Sequence, residues 1–208
     1  MSAADIVRGL YAITDPALTP GDTLLPACET ALAAGLRLLQ YRNKTAPAAT
    51  RLHEARTLVA LCARFNATLL INDDPQLARE SGAAGVHIGQ QDGGVARARA
   101  LLGPDALIGV TCHGDIRLAQ HAIAEGADYV AFGRFFPSHT KPQAPAAPLS
   151  VLEQARTLGV PVVAIGGVNP DNAPQLLTAG ADAVAVIHGV FGQPDIAAAV
   201  RRFISLPC

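Results

Sequence analysis

The sequence predicts an α/β fold in which eight parallel strands and their helices form a (β/α)8 TIM-type barrel, and three observations lead to this prediction. Short apolar runs alternate with amphipathic helical stretches eight times along the 208 residues. The apolar runs are continuous, which is typical of parallel strands covered on both faces. Glycines suited to the end of a helix precede the even-numbered strands, at Gly35, Gly82, Gly126 and Gly180. A doubly wound sheet is the alternative, but it usually stops at about five to seven strands.

The predicted elements follow one another in regular strand–helix units. Strands are expected at residues 10–13, 36–40, 68–71, 85–88, 107–110, 129–132, 162–165 and 183–187. Helices are expected at residues 24–34, 48–65, 75–80, 95–102, 116–125, 149–158, 172–179 and 196–204. The Pro, Ser and Ala content of residues 133–148 predicts a long loop, which in so economical a chain indicates a function. Residues 1–208 are expected to form one domain.

Composition and charge exclude several classes of protein. Hydrophobic residues make up 50% of the chain and charged residues 16%, so a disordered chain is excluded. Sixteen basic and seventeen acidic residues, without a run of like charge, give no sign of a nucleic-acid partner or of an anionic membrane surface. The sequence contains no uncharged apolar stretch long enough to span a membrane, and no secretory leader is recognisable.

The cysteines indicate a reducing compartment. Cys28, Cys62, Cys112 and Cys208 are far apart and form no Cys-x-x-Cys pair. A chain of this length needs no disulfide framework, so these residues are expected to be reduced thiols. The sequence therefore predicts a cytoplasmic protein.

Polar residues collect at the carboxyl ends of the predicted strands, which in a barrel open at one mouth. They are Thr14-Asp15, Tyr41-Arg42-Asn43-Lys44, Asn72-Asp73-Asp74, Gln90-Gln91-Asp92, Thr111-Cys112-His113, Ser138-His139-Thr140-Lys141, Gly166-Gly167-Val168-Asn169 and His188-Gly189. The opposite strand ends carry mostly glycine, alanine and proline. Packing alone does not produce this asymmetry, so the mouth is predicted to hold a catalytic site.

Glycines after the seventh strand indicate a phosphate site. Gly166 and Gly167 lead into a helix whose free N–H groups can bind an anion, and His188 and Gly189 follow the eighth strand on the neighbouring loop. An ordinary tight turn without a ligand is the alternative. The position of both loops in the barrel favours phosphate.

Carboxylates on neighbouring loops indicate a Mg²⁺ site. Asp73 follows the third strand and Asp92 the fourth, and Mg²⁺ typically takes one or two carboxylates together with water and substrate phosphate. A turn aspartate is the alternative for either residue. Asp74 precedes Pro75, a combination that predicts a helix N-cap rather than a metal ligand.

Cationic residues at the mouth indicate a second anion site. Arg42 and Lys44 are two residues apart, so they are expected to project on the same side and to reach one anion. Ser138, Thr140 and Lys141 in the long loop add two hydroxyls and an ammonium group. Solvated loop charges are the alternative for each group. Together with the aspartates, these residues predict a metal-bridged polyanion site distinct from the phosphate site, and hence two phosphorylated substrates.

Six motifs occur in the order and at the spacing of a known signature. They are Gln40-Tyr41-Arg42-Asn43-Lys44, Ile71-Asn72-Asp73-Asp74, Val86-His87-Ile88-Gly89-Gln90-Gln91-Asp92, Gly109-Val110-Thr111-Cys112-His113, Pro137-Ser138-His139-Thr140-Lys141 and Ala164-Ile165-Gly166-Gly167. From Gly9 to the last predicted helix, the chain resembles the thiamine-phosphate synthase family. Six motifs in order are far more specific than any one of them.

The resemblance implies an enzyme that joins 4-amino-2-methyl-5-(diphosphooxymethyl)pyrimidine to 4-methyl-5-(2-phosphooxyethyl)thiazole, or to its carboxylated form, and releases pyrophosphate. It implies that Asp73 and Asp92 hold Mg²⁺. The residues that it assigns to the pyrimidine diphosphate are Gln40, Tyr41, Arg42, Asn43, Lys44, Asn72, Thr111 and Lys141. Those that it assigns to the thiazole phosphate are Ser138, His139, Thr140, Gly167, Ile187 and His188, of which the three loop residues are also placed near the pyrophosphate in some accounts of the family.

The predicted mechanism is electrostatic. Arg42, Lys44 and Lys141 are the candidate catalytic residues, since their charges can stabilise pyrophosphate as it departs. No general base or nucleophile is obvious at the mouth. Bond breaking is therefore expected to run ahead of bond making, through a pyrimidine-methylene cation.

Three positions depart from the usual pattern of the family. Asn43 stands where an acidic residue is usual, Ser138 where threonine is usual, and His188 where serine is usual. The first two keep a polar group of similar reach. His188 replaces a small hydroxyl with a titratable ring, so the phosphate contact there is the least secure of these assignments.

Two other functions compete with the synthase. A thiazole tautomerase of similar sequence would need neither diphosphate nor metal, and the retention of Asp73, Asp92 and the Ser-x-Thr-Lys loop argues against it. A non-catalytic sensor of phosphorylated metabolites would bind its ligand without turnover. The sequence is compatible with a homo-oligomer but does not reveal the oligomeric state, nor whether the thiazole is carboxylated or the 133–148 loop closes over the site.

Overall fold

Eight parallel strands close into a barrel in the computed structural model, which describes residues 2–138, 143 and 145–206. The strands are β1 (Gly9–Ile13), β2 (Leu38–Tyr41), β3 (Thr68–Asn72), β4 (Gly85–Ile88), β5 (Leu107–Thr111), β6 (Tyr129–Gly133), β7 (Val162–Ile165) and β8 (Ala183–Val186). Each strand pairs with its neighbours in sequence, and β8 pairs with β1 to complete the closure. The predicted (β/α)8 barrel is confirmed, and the doubly wound sheet is excluded.

Helices connect the strands around the outside of the barrel. They are α1 (Ala3–Ile6), α2 (Leu24–Ala33), α3 (Ala48–Arg64), α4 (Pro75–Ser81), α5 (Val95–Leu102), α6 (Ile116–Ala124), α7 (Ser150–Ala155), α8 (Ala173–Ala179), α9 (His188–Phe191) and α10 (Ile196–Ile204), with a 3₁₀ turn (Gly21–Thr23) before α2. Among the described residues, no helix combines the length and the apolar character needed to cross a lipid bilayer.

The helices α1 and α9 are not predicted by the sequence. Each has four residues, which is too short to show a hydrophobic periodicity of 3.6 residues. Other boundaries differ from the prediction by a few residues. The strand β2 begins at Leu38 instead of residue 36, α7 ends at Ala155 instead of residue 158, and β8 ends at Val186 instead of residue 187.

The larger part of the core lies between the strands and the helices. Outward-facing strand residues such as Leu39, Ile71 and Val130 share a buried cluster with helix residues such as Leu58 and Ala98. Removal of apolar surface from water stabilises a fold by about 25 cal/mol per Å², so this continuous layer is the main source of stability.

Three cysteines are buried in this outer layer. Cys28, Cys62 and Cys112 are free thiols, and burial raises the pKa of Cys62 and of Cys112 to about 12. A thiol with so high a pKa stays protonated at neutral pH and is a poor nucleophile. These three cysteines therefore serve packing.

A second, smaller cluster fills the barrel itself. It includes Tyr11, Leu38 and Tyr129, and Ile6 from α1 packs against it. Because α1 precedes β1, it lies at the amino ends of the strands and closes that pole of the barrel. The mouth at the opposite pole is left for the predicted site.

Gly109 makes room for the Tyr129 ring inside the barrel. The two residues are paired neighbours on β5 and β6, and a Cβ atom at position 109 would lie 1.9 Å from the ring. Real Cβ contacts are never this short, so no side chain fits at position 109 while Tyr129 keeps its place.

Candidate active site

A cleft of about 780 Å³ opens at the mouth, on the side of β2, β3 and β4. Six of the predicted site residues line it: Tyr41, Asn43, Lys44, Asn72, Asp73 and Asp92. The cleft extends over the outer helices, where it is lined by Arg51, Gln76, Leu77, Arg97 and Leu101. The structure thus brings predicted residues from three successive loops into one cavity.

Asp73 and Asp92 form the carboxyl pair of this cleft, and each carboxyl group influences the pKa of the other. Asp73 directly follows β3, and its N–H donates to the carbonyl of His87 at 2.8 Å. Its φ of 61° turns the chain out of the sheet, in a region that aspartate and asparagine tolerate. Asp92 accepts a hydrogen bond from the Gly89 N–H at 2.7 Å. Backbone contacts therefore fix the main chain of Asp73 and the carboxyl group of Asp92.

The two carboxyl groups have opposite pKa shifts. Burial opposes the ionisation of Asp73, but a hydrogen bond and the positive charge of Lys44 outweigh it and hold the pKa of Asp73 below its usual range. Burial raises the pKa of Asp92, opposed by the hydrogen bond from Gly89 and reinforced by the charge of Asp73. Two carboxylates this close repel each other unless a cation lies between them.

The chemistry of this pair fits a magnesium ion. Mg²⁺ takes oxygen ligands, commonly one or two carboxylates from the protein, and completes its shell with water and substrate phosphate. Asp73 and Asp92 supply two such carboxylates on adjacent loops. Within the described ranges, no group of three or more His, Cys, Asp or Glu side chains is arranged to hold a metal.

Asp74 caps a helix, as the sequence predicts. Its Oδ1 accepts a hydrogen bond from the Leu77 N–H at 2.9 Å, and Pro75 occupies the first turn of α4. The other oxygen, Oδ2, lies 3.2 Å from Nη1 of Arg51. Both oxygens of Asp74 are thus engaged by the protein, unlike those of a ligand held ready for a metal.

Arg42 and Lys44 turn toward different neighbours. Arg42 Nη1 lies 2.6 Å from Oδ2 of Asp15 after β1, whereas Lys44 Nζ lies 2.6 Å from Oδ2 of Asp73 after β3. The side chains of Arg42 and Asp15 are each only 16% exposed, so this pair is the better shielded. That both cations reach one anion stays a prediction, and in this structure each is neutralised by a carboxylate.

Tyr41 and Asn43, which the sequence assigns to the substrate, interact with α3 through their side chains. The Tyr41 hydroxyl donates to Oε2 of Glu54, and Asn43 Nδ2 donates to the same oxygen at 3.2 Å. Asn43 Oδ1 also accepts from the Ala46 N–H at 3.1 Å. Both residues border the cleft, and their side chains organise its β2 edge.

Gln40 and Thr111 lie three strands apart, and both hydrogen-bond to side chains inside the barrel. Gln40 Nε2 donates to the Tyr11 hydroxyl at 2.6 Å. Thr111 Oγ1 lies 2.8 Å from Nε2 of His87. The two predicted pyrimidine-binding residues are therefore connected to the interior of the barrel.

Gly166 and Gly167 are required by the loop that follows β6. A Cβ atom at Gly167 would lie 2.2 Å from the carbonyl oxygen of Pro137, and one at Gly166 would lie 2.2 Å from Cβ of Arg134. This close approach explains both glycines by packing, whether or not an anion binds there. Ser138 follows in the same loop and is half-buried. His139, Thr140 and Lys141 lie outside the described residues, and their assigned roles stay predictions.

Ile187 and His188 begin a helix instead of a loop. Ile187 precedes α9, and His188 is its first residue. The exposed His188 ring lies along α9, since a Cβ atom at Gly192 would be 2.6 Å from its Cδ2. The phosphate contact at this position stays a prediction.

Several residues of the mouth are absent from the predicted set. Asp15, which the sequence places at the mouth without assigning it a role, pairs with Arg42, and Arg51 and Arg97 line the cleft from α3 and α5. Helical arginines resemble ordinary surface residues in a sequence, so these two give no signal. Tyr11 and Tyr129 were detectable, because a tyrosine inside a buried strand needs a hydrogen-bond partner for its hydroxyl.

Comparison with known proteins agrees with this geometry. A family profile described as thiamine monophosphate synthase matches residues 10–190. A thiamine-phosphate synthase of Alcanivorax borkumensis is 59% identical over 200 residues, which cover 94% of this chain and 92% of the relative. One from Marinobacter nauticus is 56% identical over 202 residues, covering 96% and 91%.

A solved structure is similar over the same extent. The thiamine phosphate pyrophosphorylase from Pyrococcus furiosus superimposes with a TM-score of 0.87 at 31% identity, over 97% of this chain and 95% of that one. The matches cover the strands, the mouth and the carboxyl pair together. The chain therefore belongs to the thiamine monophosphate synthase family.

Proposed function

We propose that this chain is a thiamine-phosphate synthase, a transferase that joins the pyrimidine diphosphate to the thiazole phosphate and releases pyrophosphate. The observation that carries the proposal is the placement of Asp73 and Asp92 in one cleft at the mouth, with Lys44 Nζ 2.6 Å from Oδ2 of Asp73. A carboxyl pair beside a lysine suits a metal-bound diphosphate. The names of relatives that are 56% and 59% identical support the same reaction.

Mg²⁺ is the proposed cofactor, held by Asp73 and Asp92. When bound, the ion neutralises charge on the diphosphate and so stabilises pyrophosphate as a leaving group. The opposed pKa shifts of the two carboxyl groups support this assignment, because a cation would relieve the repulsion that raises the pKa of Asp92.

Arg42 and Lys44 are proposed to bind the diphosphate by exchanging partners. Each now pairs with a carboxylate at 2.6 Å, and a phosphate oxygen offers a stronger negative charge at the same mouth. Lys141 is the third proposed cation. Their charges stabilise the departing pyrophosphate more than the intact substrate, which is what lowers the barrier.

The thiazole phosphate is proposed to lie on the side of β7 and β8. Gly167, Ile187 and His188 follow these two strands, and main-chain N–H groups at such positions can bind phosphate. Ser138, His139 and Thr140 are proposed to complete this side. The two substrates then meet over the centre of the barrel, between Gln40 and Thr111.

The proposed order of events is dissociative. The electron-rich aminopyrimidine supports a positive methylene carbon as pyrophosphate leaves, and the thiazole nitrogen captures that carbon. A trifluoromethyl group in place of the pyrimidine methyl withdraws electrons, so it should slow single-turnover chemistry by orders of magnitude. Rates that barely change while binding is intact would support concerted displacement.

One incubation separates the proposed function from its alternatives. Purified protein with both substrates and Mg²⁺ should produce pyrophosphate and thiamine phosphate in equal amounts, and chelation of the metal should stop the reaction. A tautomerase would isomerise the thiazole phosphate without metal. A sensor would bind ligand and form no product.

The buried thiols support the cytoplasm as the proposed compartment.

A further inference from the structure

A chain of hydrogen bonds crosses the interior of the barrel from β2 to β5. It consists of Gln40 Nε2 to the Tyr11 hydroxyl at 2.6 Å, Tyr11 to the Tyr129 hydroxyl at 3.0 Å, Tyr129 to His87 Nδ1 at 2.8 Å, and His87 Nε2 to Thr111 Oγ1 at 2.8 Å. The first four residues are between 0% and 8% exposed. Water therefore cannot substitute for these partners.

The two ends of the chain are the residues assigned to the pyrimidine, whereas the three central residues have no role in the proposed reaction. Gln40 and Thr111 belong to the mouth, and Tyr11, Tyr129 and His87 lie behind them. Polar side chains in a barrel interior weaken packing unless every group is satisfied. We therefore ask how Tyr11, Tyr129 and His87 affect Gln40 and Thr111.

The donors and acceptors along the chain follow from its first bond. Gln40 Nε2 can only donate, so the Tyr11 oxygen accepts and Tyr11 directs its single proton to Tyr129. Tyr129 then directs its proton to Nδ1 of His87, which must be unprotonated. Burial raises the pKa of both tyrosines, so each hydroxyl keeps its proton.

The direction of these hydrogen bonds therefore determines which groups remain available on Gln40 and on Thr111, at the two ends of the series. A neutral His87 with an unprotonated Nδ1 carries its proton on Nε2 and donates to Thr111 Oγ1. The Thr111 hydroxyl, having accepted there, has its proton free to donate elsewhere. At the other end, Nε2 of Gln40 uses one of its two protons on Tyr11, which fixes the orientation of the amide and leaves the carbonyl oxygen Oε1 as an acceptor. Turning the Gln40 amide over would reverse every bond and place the proton on Nδ1.

We propose that Tyr11, Tyr129 and His87 are positioning residues that fix Gln40 as an acceptor and Thr111 as a donor, and so select an aminopyrimidine. This inference rests on the proposed function only for the identity of the ligand. An aminopyrimidine offers amino N–H donors and ring-nitrogen acceptors, which complement the two ends. An oxo group in place of the amino group reverses that pattern, since it brings a carbonyl acceptor and a ring N–H donor.

Nitrogen NMR on the substrate-free protein tests the polarity directly. With ¹⁵N-labelled histidine, His87 should be neutral with its proton on Nε2, and the His87→Gln variant identifies its signals among the six histidines. Tyr129→Phe removes the donor to Nδ1, so the His87 ring should become a mixture of tautomers. Tyr11→Phe cuts the relay between Gln40 and Tyr129, so it should give a mixture of tautomers as well. Tyr41→Phe, which removes another buried tyrosine hydroxyl, is the control for this signal.

A proton on Nδ1, or a doubly protonated ring, in the unaltered protein would overturn the proposal. So would a Tyr129→Phe protein in which the tautomer does not change. The protonation state of His87 is measured in the unaltered protein, so this part of the test does not depend on whether Tyr129→Phe folds. It needs no substrate, and it therefore remains decisive if the proposed reaction fails.

The kinetic test compares the 4-amino pyrimidine diphosphate with its 4-oxo analogue. The ratio of kcat/KM values for the two should fall by about tenfold in Tyr129→Phe, the size expected when one hydrogen-bond preference is lost. A merely structural role would lower kcat for both substrates and leave the ratio unchanged, which would overturn the proposal. Absence of product from the unaltered protein with both natural substrates would instead reject the proposed function.

Discussion

The two halves of the mouth handle charge in different ways. The loops after β1, β2 and β3 and the start of α3 present charged side chains that already pair with one another: Arg42 with Asp15, Lys44 with Asp73, and Arg51 with Asp74. The loops after β6 and β7 meet through their backbones, since the Phe136 N–H donates to the Gly166 carbonyl at 3.0 Å. The half of the mouth after β1, β2 and β3 contains ion pairs, whereas in the half after β6 and β7 the main chains of two loops lie close together.

The contrast between paired side chains and hydrogen-bonded main chains indicates how each half could bind an anion. In the charged half, a ligand must displace carboxylates from Arg42 and Lys44, so binding there costs existing interactions and depends on ionisation. In the backbone half, hydrogen bonds between the two loops hold the main chain in place, and a phosphate would be bound by N–H groups instead of by displaced cations. The charged half suits a leaving group whose charge grows during reaction, and the backbone half suits a phosphate that does not react.

The largest expected effect is on catalysis in the charged half. Asp73→Asn and Asp92→Asn each remove a proposed metal ligand, and should lower kcat/KM by about 100-fold or more, since metal stabilisation of a leaving group is worth several kcal/mol. Asparagine tolerates the positive φ of Asp73, so that variant should stay folded. Steady-state rates at limiting Mg²⁺, with circular dichroism for folding, measure this.

Asp74→Asn is the matched control, because it changes the neighbouring carboxylate and keeps a competent N-cap. Its activity should stay within a few-fold of the unaltered protein. If all three variants are equally active at limiting Mg²⁺, the metal assignment is wrong.

The next largest effect is on stability in the backbone half. Gly167→Ala combines a positive φ of 65° with a Cβ atom 2.2 Å from the Pro137 carbonyl. Gly82→Ala has a similar φ of 76° and nothing within 4 Å. The left-handed conformation alone should cost about 1 to 2 kcal/mol in Gly82→Ala, and the clash should cost roughly 1 to 3 kcal/mol more in Gly167→Ala. Equal urea midpoints for the two variants would contradict the close approach.

A smaller effect is expected at His188. If the backbone of α9 binds the thiazole phosphate, His188→Ala should raise the KM for that substrate only a few-fold and leave the KM for the pyrimidine diphosphate unchanged. His53→Ala, an exposed histidine on α3, serves as the control. A rise of the thiazole KM by two orders of magnitude would show that the ring is the main contact, and a loss of thermal stability with unaltered kinetics would show a packing role.

The smallest effect is a titration in the charged half. In the metal-free protein, the Asp92 carboxyl should titrate above the usual pKa of an aspartate and Asp73 below it. Asp73→Asn removes one of the negative charges that raise the pKa of Asp92, so that pKa should move down. Carbon NMR of the labelled carboxyl groups measures both values. The sign also means that Mg²⁺ affinity should weaken on acidification as Asp92 becomes protonated.

The strands and long helices could be predicted from the sequence because their burial leaves a periodic pattern. The apolar run before Asn72 gave β3 within one residue, and Asp74-Pro75 gave the start of α4. The helix α9 could not be predicted, because four residues carry no period. Its presence changes the assignment at His188 from a side chain in a loop to the first turn of a helix.

The site was predictable where chemistry depends on residue type at a strand end. Lys44, Asp73 and Asp92 meet in one cleft, as adjacent parallel strands require. The pairing of Arg42 with Asp15 was not predictable, since the same-side rule for residues two apart says nothing about which neighbouring loop supplies a partner. The hydrogen bonds from Thr111 through His87 to Tyr129 form because these side chains face the barrel interior. A continuous apolar run does not show which of its residues face inward, so these bonds could not be predicted.

The position of the short helix α1 is useful for attaching the protein to a solid support. Ser2 and Asp5 close its first turn by reciprocal hydrogen bonds of 3.3 Å and 2.8 Å, and Ile6 is anchored beneath the barrel. The mouth lies at the other pole, about 15 Å away at the rise of a strand. A resin or electrode joined ahead of Ser2 would leave the mouth facing the solution. Immobilised molecules can then be packed side by side while small reactants still diffuse to every one of them.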